Sequence, residues 1–146
     1  MSLGENMVVT LFGESHGPAV GALIEGMPAN TKLDVDQLIA DMISRRPGSG
    51  LASKRKETDD VEILSGVNDG KTTGMPILLL IKNRDVKSKD YSFLPYQPRP
   101  GHVDHPISVK TGGAADLRGG GSFSARLTAG LVAAASISRN ILPKEW

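Results

Sequence analysis

The stretch FGESHGPAVGALI, residues 12–24, decides the fold because it places one histidine between two apolar runs. Residues 7–12 predict one strand and residues 19–24 a second, since both are short, apolar and rich in strand-forming side chains. The glycines and the proline between them interrupt strand pairing, which predicts a loop at the sheet rim. His16 therefore lies in a turn and not in a core.

An imidazole in such a turn exchanges a proton near neutral pH, which suits an active-site acid. A loop histidine that only makes a hydrogen bond is an equal alternative on these residues alone.

Composition limits the remaining classes. The chain has 146 residues, enough for one domain. Its 17 Lys and Arg nearly balance its 16 Asp and Glu, so the overall charge does not indicate binding to nucleic acid or to a membrane surface. Cysteine is absent, which excludes disulfides and thiolate metal sites. No apolar run approaches the roughly 20 residues of a membrane span, and the first residues lack the basic-then-apolar order of a signal peptide. We expect a cytoplasmic protein. We assign no secondary structure to residues 1–3.

Further elements follow from periodicity. Residues 31–46 predict a helix with Asp34 as N-cap and a five-residue apolar stripe, at Val35, Leu38, Ile39, Met42 and Ile43. Residues 61–67 and 76–81 predict strands, the second apolar enough for burial on both faces. Residues 48–60 and 83–101 predict long loops, which in so short a chain indicate a site. Residues 124–142 are apolar all round and predict a helix packed on several sides.

Gly119, Gly120 and Gly121 precede that last helix and allow a backbone anion site next to the helix N-terminus. A tight loop with a serine cap is the alternative. Gly70-Lys71-Thr72 is not a phosphate-binding P-loop, because the required upstream glycine is replaced by Ser65 and a strand follows.

Arginines cluster at turns and helix ends, where guanidinium forks bind phosphate or carboxylate; solvated surface charge is the alternative for each one singly. They are Arg45, Arg46, Arg55, Arg99, Arg118 and Arg126. His102 and His105 near Asp104 make only a weak metal signal, since a third clear ligand is lacking.

Seven blocks in one order resemble the chorismate synthase family. The first is GESHG with EGMP at residues 25–28. The others lie at residues 45–48, 61–67, 70–74, 88–91, 99–104 and 118–126. The resemblance covers nearly the whole chain and implies an α+β fold, a β-α-β sandwich with helices between antiparallel-rich sheets. We expect residues 1–146 to be the N-terminal portion of a single domain of this kind.

The resemblance implies a lyase that converts 5-enolpyruvylshikimate 3-phosphate to chorismate, the last step of the shikimate pathway, by 1,4-elimination of phosphate with reduced FMN. His16 would protonate the leaving phosphate, and His102 the reduced flavin. Substrate anions would be held by Arg45, Arg99 and Arg126, and the flavin would be touched by Ser122, Phe123 and Ser124. Arg45 also matches the contact to a nicotinamide cofactor, NADPH, in members that reduce their own flavin.

The chain departs from the family pattern at three places. A second basic position falls near Leu51, Ser122 stands where arginine is frequent, and Leu127-Thr128 replaces Glu-Thr. Family chains are more than twice as long and form homotetramers, so a homo-oligomer is expected. Two alternatives stay open: a non-catalytic anion- or flavin-binding module, and a subunit that needs a partner with the C-terminal half. The isolated chain is expected to lack turnover and to bind FMN weakly at best. The last helix, apolar on every side, would leave an exposed patch, so we expect the chain to oligomerise through that surface or to pair with a missing segment.

Overall fold

The computed structural model describes residues 1–46, 57–84 and 88–143. The strands are β1 Ser2–Leu3, β2 Val8–Gly13, β3 Ala19–Glu25, β4 Val61–Ile63, β5 Val67–Asn68, β6 Lys71–Thr72 and β7 Ile77–Lys82. The α-helices are α1 Val35–Ser44, α2 Asp104–Lys110 and α3 Thr128–Ser138. Short 3₁₀ segments cover Ser88–Tyr91, Arg118–Phe123, Ala125–Leu127 and Arg139–Ile141.

One antiparallel sheet carries the fold, in the order β1-β2-β3-β7-β4, and β5 with β6 forms a separate two-stranded ribbon. α3 packs on β2, β3 and β7, and α1 packs on α3. The N-cap of α1 is Asp34, whose carboxylate accepts from the backbone N–H of Gln37, as predicted. The α+β class with an antiparallel sheet is confirmed.

A close backbone contact joins α3 to the sheet. A Cβ added to Gly130 would lie 2.5 Å from the carbonyl oxygen of Gly21, so only glycine allows this approach. Ala129, Ala133 and Ala134 on α3 have no solvent exposure, whereas Leu131 is 38% exposed. The prediction that this helix is packed on several sides holds toward the sheet and toward α1, but the face with Thr128, Leu131 and Ala135 is exposed. The α-helix is also shorter than the predicted residues 124–142, because its ends are 3₁₀ turns.

Gly130→Ala is expected to destabilise the protein by about 1–3 kcal/mol, because overpacking outweighs the roughly 1 kcal/mol that alanine gains over glycine in a helix. Urea unfolding measures the change. Leu131→Ala is the matched control on the same helix, since Leu131 is 38% exposed and its truncation introduces no clash, so it should cost less stability. Equal or greater stability of Gly130→Ala would contradict the close contact.

Three strand predictions need correction. Residues 61–67 are not one strand, because β4 ends at Ile63. Beyond that end, the side chain of Ser65 takes the place of backbone strand pairing: its hydroxyl donates to the carbonyl of Pro76 (2.9 Å) and accepts from Leu78 N–H (3.1 Å). Residues 1–3 do have structure, since β1 pairs with β2. β7 is fully buried on one face only, because α3 covers that face, while Leu78 and Leu80 on the other are half-buried.

Three helix and loop predictions also change. α1 is shorter than residues 31–46, and its apolar stripe is divided: Leu38 and Met42 are buried, but the row of Val35, Ile39 and Ile43 is exposed, because α3 covers only the first row. α2 was missed, since seven residues carry little periodicity. The predicted loops lie partly outside the described residues, at 47–56 and 85–87.

Candidate active site

The triglycine turn lies at the centre of the predicted site. Gly119, Gly120 and Gly121 have φ of 58°, 89° and 53°, in the left-handed region that favours glycine. The carbonyl of Gly121 accepts a hydrogen bond from the backbone N–H of Ser15 at 3.1 Å. This bond ties the turn to the loop between β2 and β3, which carries His16.

His16 lies directly against this turn. A Cβ at Gly119 would come within 2.6 Å of His16 Cδ2 and 2.8 Å of its Nε2. The Tyr91 ring meets the imidazole edge-on, with centroids 4.8 Å apart. The half-buried His16 ring is therefore held between a bare stretch of backbone and an aromatic ring.

Asn83 fixes the loop that presents His16. Its side-chain amide donates to the carbonyls of Glu14 (3.0 Å) and Gly17 (2.8 Å), and its backbone N–H donates to Pro18 (3.0 Å). Sequence reasoning did not identify Asn83, although it directly follows the apolar strand β7 at the end nearest this loop.

His102 lies against the next glycine of the same turn. A Cβ at Gly120 would be 3.5 Å from both Cε1 and Nε2 of His102. Its other ring nitrogen, Nδ1, is 2.7 Å from Asp104 Oδ1. The two histidines chosen from sequence thus contact adjacent residues of one turn; their chemical roles stay predictions.

Arg99 and Asp104 form a bidentate ion pair beside His102. Arg99 Nε donates to Asp104 Oδ2 (2.8 Å) and Nη2 to Oδ1 (2.7 Å), and the Asp104 side chain is fully buried. The hydrogen bonds from Arg99 are the main reason that the pKa of Asp104 lies well below its usual value, and those bonds also raise the pKa of Arg99. Arg99 lies 5.4 Å from the centroid of the Tyr91 ring, which also contacts His16.

Because of this ion pair, we expect the free energy of unfolding to fall at acid pH. Because the pKa of Asp104 is lowered on folding, its contribution to stability is complete above the ordinary carboxyl pKa of about 3.9 and is lost as pH falls below it. From about pH 5 to about pH 2 the free energy of unfolding should fall more steeply in wild type than in Asp104→Asn. Urea unfolding at several pH values measures both slopes, and parallel slopes would contradict the assigned ion pair.

Arg45 and Arg126 converge elsewhere, on a buried carboxylate. Arg45 Nη1 donates to Asp59 Oδ2, and Arg126 Nη1 donates to Asp59 Oδ1. The Arg126 side chain is 5% exposed and that of Asp59 1%. Arg126 Nε also donates to Asn83 Oδ1 at 2.9 Å, which links this cluster to the His16 loop. Of the three predicted substrate arginines, two share one carboxylate and Arg99 pairs with another.

The predicted flavin-contacting residues lie at the end of the triglycine turn. Ser122 and Phe123 are exposed, and Ser124 is half-buried with its Oγ accepting from Arg126 N–H at 3.3 Å, which makes it a cap. An open pocket of about 290 Å³ lies between this segment and α2, with Ile107, Lys110 and Phe123 among its lining residues. Leu51, near which the first departure from the family pattern falls, lies outside the described residues.

Within residues 1–46, 57–84 and 88–143, His, Asp and Glu form no group of three or more that could hold a metal ion. No helix in the same residues is both long and apolar enough to cross a membrane.

The profile of the chorismate synthase family matches residues 7–145. The chain belongs to the chorismate synthase family. It is 51% identical to the chorismate synthase of Aeropyrum pernix over 98% of this chain, and 46% identical to that of Thermococcus kodakarensis over 97%. A crystal structure of a chorismate synthase shares the fold with a TM-score of 0.61 at 31% identity, over 93% of this chain and 33% of that one.

The chain spans about two-fifths of the length of these curated chorismate synthases, 38% and 40% respectively. The family assignment confirms the resemblance drawn from the seven sequence blocks. Asp59, Tyr91 and Asn83 are the site residues that sequence reasoning missed, since each acts through a partner far away in the chain.

Proposed function

We propose that this chain provides the part of a chorismate synthase that carries two catalytic histidines. The reaction is the 1,4-elimination of phosphate from 5-enolpyruvylshikimate 3-phosphate to give chorismate. The observation that supports it is the placement of His16 and His102 against adjacent glycines, Gly119 and Gly120. Two acids at one backbone turn can serve one bound substrate and one bound cofactor.

His16 is the acid for the leaving phosphate. Its loop is held by Asn83 and its ring by Tyr91, so the imidazole has a defined orientation before a ligand arrives. Such orientation lowers the reorganisation needed in the transition state. His102 is the second acid, on the cofactor side of the same turn.

The residues at the turn fit a flavin. Phe123, 58% exposed at the end of the turn, offers an aromatic contact for a flat ring next to the open pocket. Ser122, Phe123 and Ser124 would hold reduced FMN, which supplies electron density to an elimination that involves no net oxidation. Arg45 would contact NADPH where the flavin is reduced on the same protein.

Arg45, Arg99 and Arg126 are the proposed holders of the substrate's phosphate and two carboxylates. Asp59 neutralises one charge of the Arg45–Arg126 pair, so one net positive charge is left for an anion there. Asp104 accepts hydrogen bonds from Nε and Nη2 of Arg99, and these bonds hold the guanidinium rigidly over the Tyr91 ring. Prearranged cations bind a multiply charged anion with less loss of side-chain entropy.

The proposal is tested with the full-length protein, by phosphate release from the substrate in the presence of reduced FMN. His16→Ala and His102→Ala should each lower kcat by about 10²- to 10⁴-fold, the range for a lost general acid. His105→Ala is the matched control, because His105 is exposed on α2 three residues from His102. Full activity of either variant, or an equal loss in His105→Ala, would overturn the roles.

A second candidate function is suggested by how little of its relatives' length this chain spans. Because the matched relatives are far longer, this segment by itself could serve as an anion- or flavin-binding module, or as a subunit completed by a partner. The exposed row of Val35, Ile39 and Ile43, with Leu131 and Leu142, is apolar surface that further chain or a second copy would cover.

Light scattering and titration with reduced FMN separate these possibilities. We expect the 146-residue chain alone to self-associate, to bind FMN weakly and to show no turnover. A monodisperse monomer with normal turnover would contradict the proposal that further chain completes the site.

A further inference from the structure

Asp104 is the buried ionised group that contacts a proposed catalytic histidine. It begins α2, and its side chain has no solvent exposure. Three donors of Arg99 contact its two oxygens: N–H (3.0 Å) and Nε (2.8 Å) at Oδ2, and Nη2 (2.7 Å) at Oδ1. The ring nitrogen Nδ1 of His102 lies 2.7 Å from Oδ1 as well. The carboxylate is thereby fully hydrogen-bonded, as a buried charge requires.

These contacts determine which nitrogen of His102 carries hydrogen. Nδ1 lies 2.7 Å from Asp104 Oδ1 and 3.2 Å from Arg99 Nη2. A bare Nδ1 would place its lone pair against a carboxylate oxygen at the shorter distance, whereas a protonated Nδ1 donates to it. The pKa of Asp104 is lowered, so the carboxylate is ionised and can only accept at this position.

We propose that Asp104 is a positioning residue that holds His102 as the Nδ1–H tautomer and directs Nε2 to the triglycine turn. Nε2 is then the atom that exchanges a proton, and it lies on the edge of the ring, with Cε1, that a Cβ at Gly120 would meet at 3.5 Å. Arg99 holds the carboxylate in place through its bidentate fork. The inference rests on the proposed function only for the use made of Nε2; the tautomer itself stands on the geometry.

Long-range ¹H–¹⁵N correlation NMR on the 146-residue chain tests the tautomer without catalysis. The chain has three histidines, so His102→Gln assigns the signal. At a pH where the imidazole is neutral, His102 should show a protonated Nδ1 and a bare Nε2. An Nε2–H tautomer in wild type would overturn the proposal, whatever any variant does.

Asp104→Asn should shift His102 toward the Nε2–H form. Asp116→Asn is the matched control, because Asp116 makes the same bidentate contact to Arg118 at the other end of this region. Unchanged His16 signals in Asp104→Asn would show that this variant still folds. Arg99→Lys, which keeps the charge but lacks the fork, should move the tautomer partway. An unchanged tautomer in Asp104→Asn would overturn the proposal.

Activity of the full-length protein adds a second readout. Asp104→Asn should lower kcat by about tenfold to a hundredfold with little change in KM, as for other residues that orient a catalytic imidazole. A tautomer shift with unchanged kcat would refute the use of His102 in catalysis while leaving the positioning role intact. Loss of activity in His102→Ala with an unshifted tautomer in Asp104→Asn would refute the positioning role alone.

Discussion

Gly119→Ala is expected to lower kcat of the full-length protein by about a hundredfold or more. The new methyl group would lie 2.6 Å from His16 Cδ2 and 2.8 Å from Ser15 Oγ, so the imidazole must move. A displacement of about 1 Å at a reacting group can cost about 10²-fold in rate. Steady-state phosphate release at saturating substrate measures the effect.

The neighbouring glycines separate displacement from backbone strain. Gly120→Ala shares the strained positive φ, but its methyl group would meet His102 at 3.5 Å, an ordinary contact. Gly112→Ala, also at positive φ, meets nothing within 4 Å. Both should lose stability like Gly119→Ala and retain more activity. Equal losses of kcat in all three would show that strain, not His16, accounts for the result.

Arg126→Ala is expected to weaken substrate binding strongly and to destabilise the fold by about 3 kcal/mol. Truncating one partner of a buried ion pair leaves the other incompletely compensated, which costs about 3–5 kcal/mol. Arg45 still pairs with Asp59 in the variant, which places the expected loss at the low end. Urea unfolding of the chain gives the stability, and KM of the full-length protein reports on substrate binding.

Two controls isolate the anion-binding role. Arg139→Ala removes an exposed arginine that pairs with Asp41 at 3.3 Å and should cost no more than about 1 kcal/mol. Asp59→Ala leaves two guanidinium groups without their carboxylate, so inorganic phosphate should raise its Tm more than that of wild type. Unchanged KM in Arg126→Ala, or no effect of phosphate on Asp59→Ala, would refute an anion site at this pair.

Much of the site could be predicted because its chemistry is local in the chain. The loop containing His16 is bounded by glycines and by two apolar strands, and the triglycine turn precedes a long apolar helix. Both patterns are visible within about a dozen residues. The placement of His16 and His102 at one turn needed the fold, since 86 positions separate them.

The sequence by itself determined the strands β2, β3 and β7, the capped helix α1, the buried helix α3 and the family. These depend on periodicity and caps, which act between near neighbours. Only the tertiary structure decided that Asp59 joins Arg45 to Arg126, that Asn83 holds the His16 loop, and that α3 covers one row of α1 and leaves another exposed. The physical reason is that burial and ion pairing depend on which distant segments meet, and a local pattern carries no information about that.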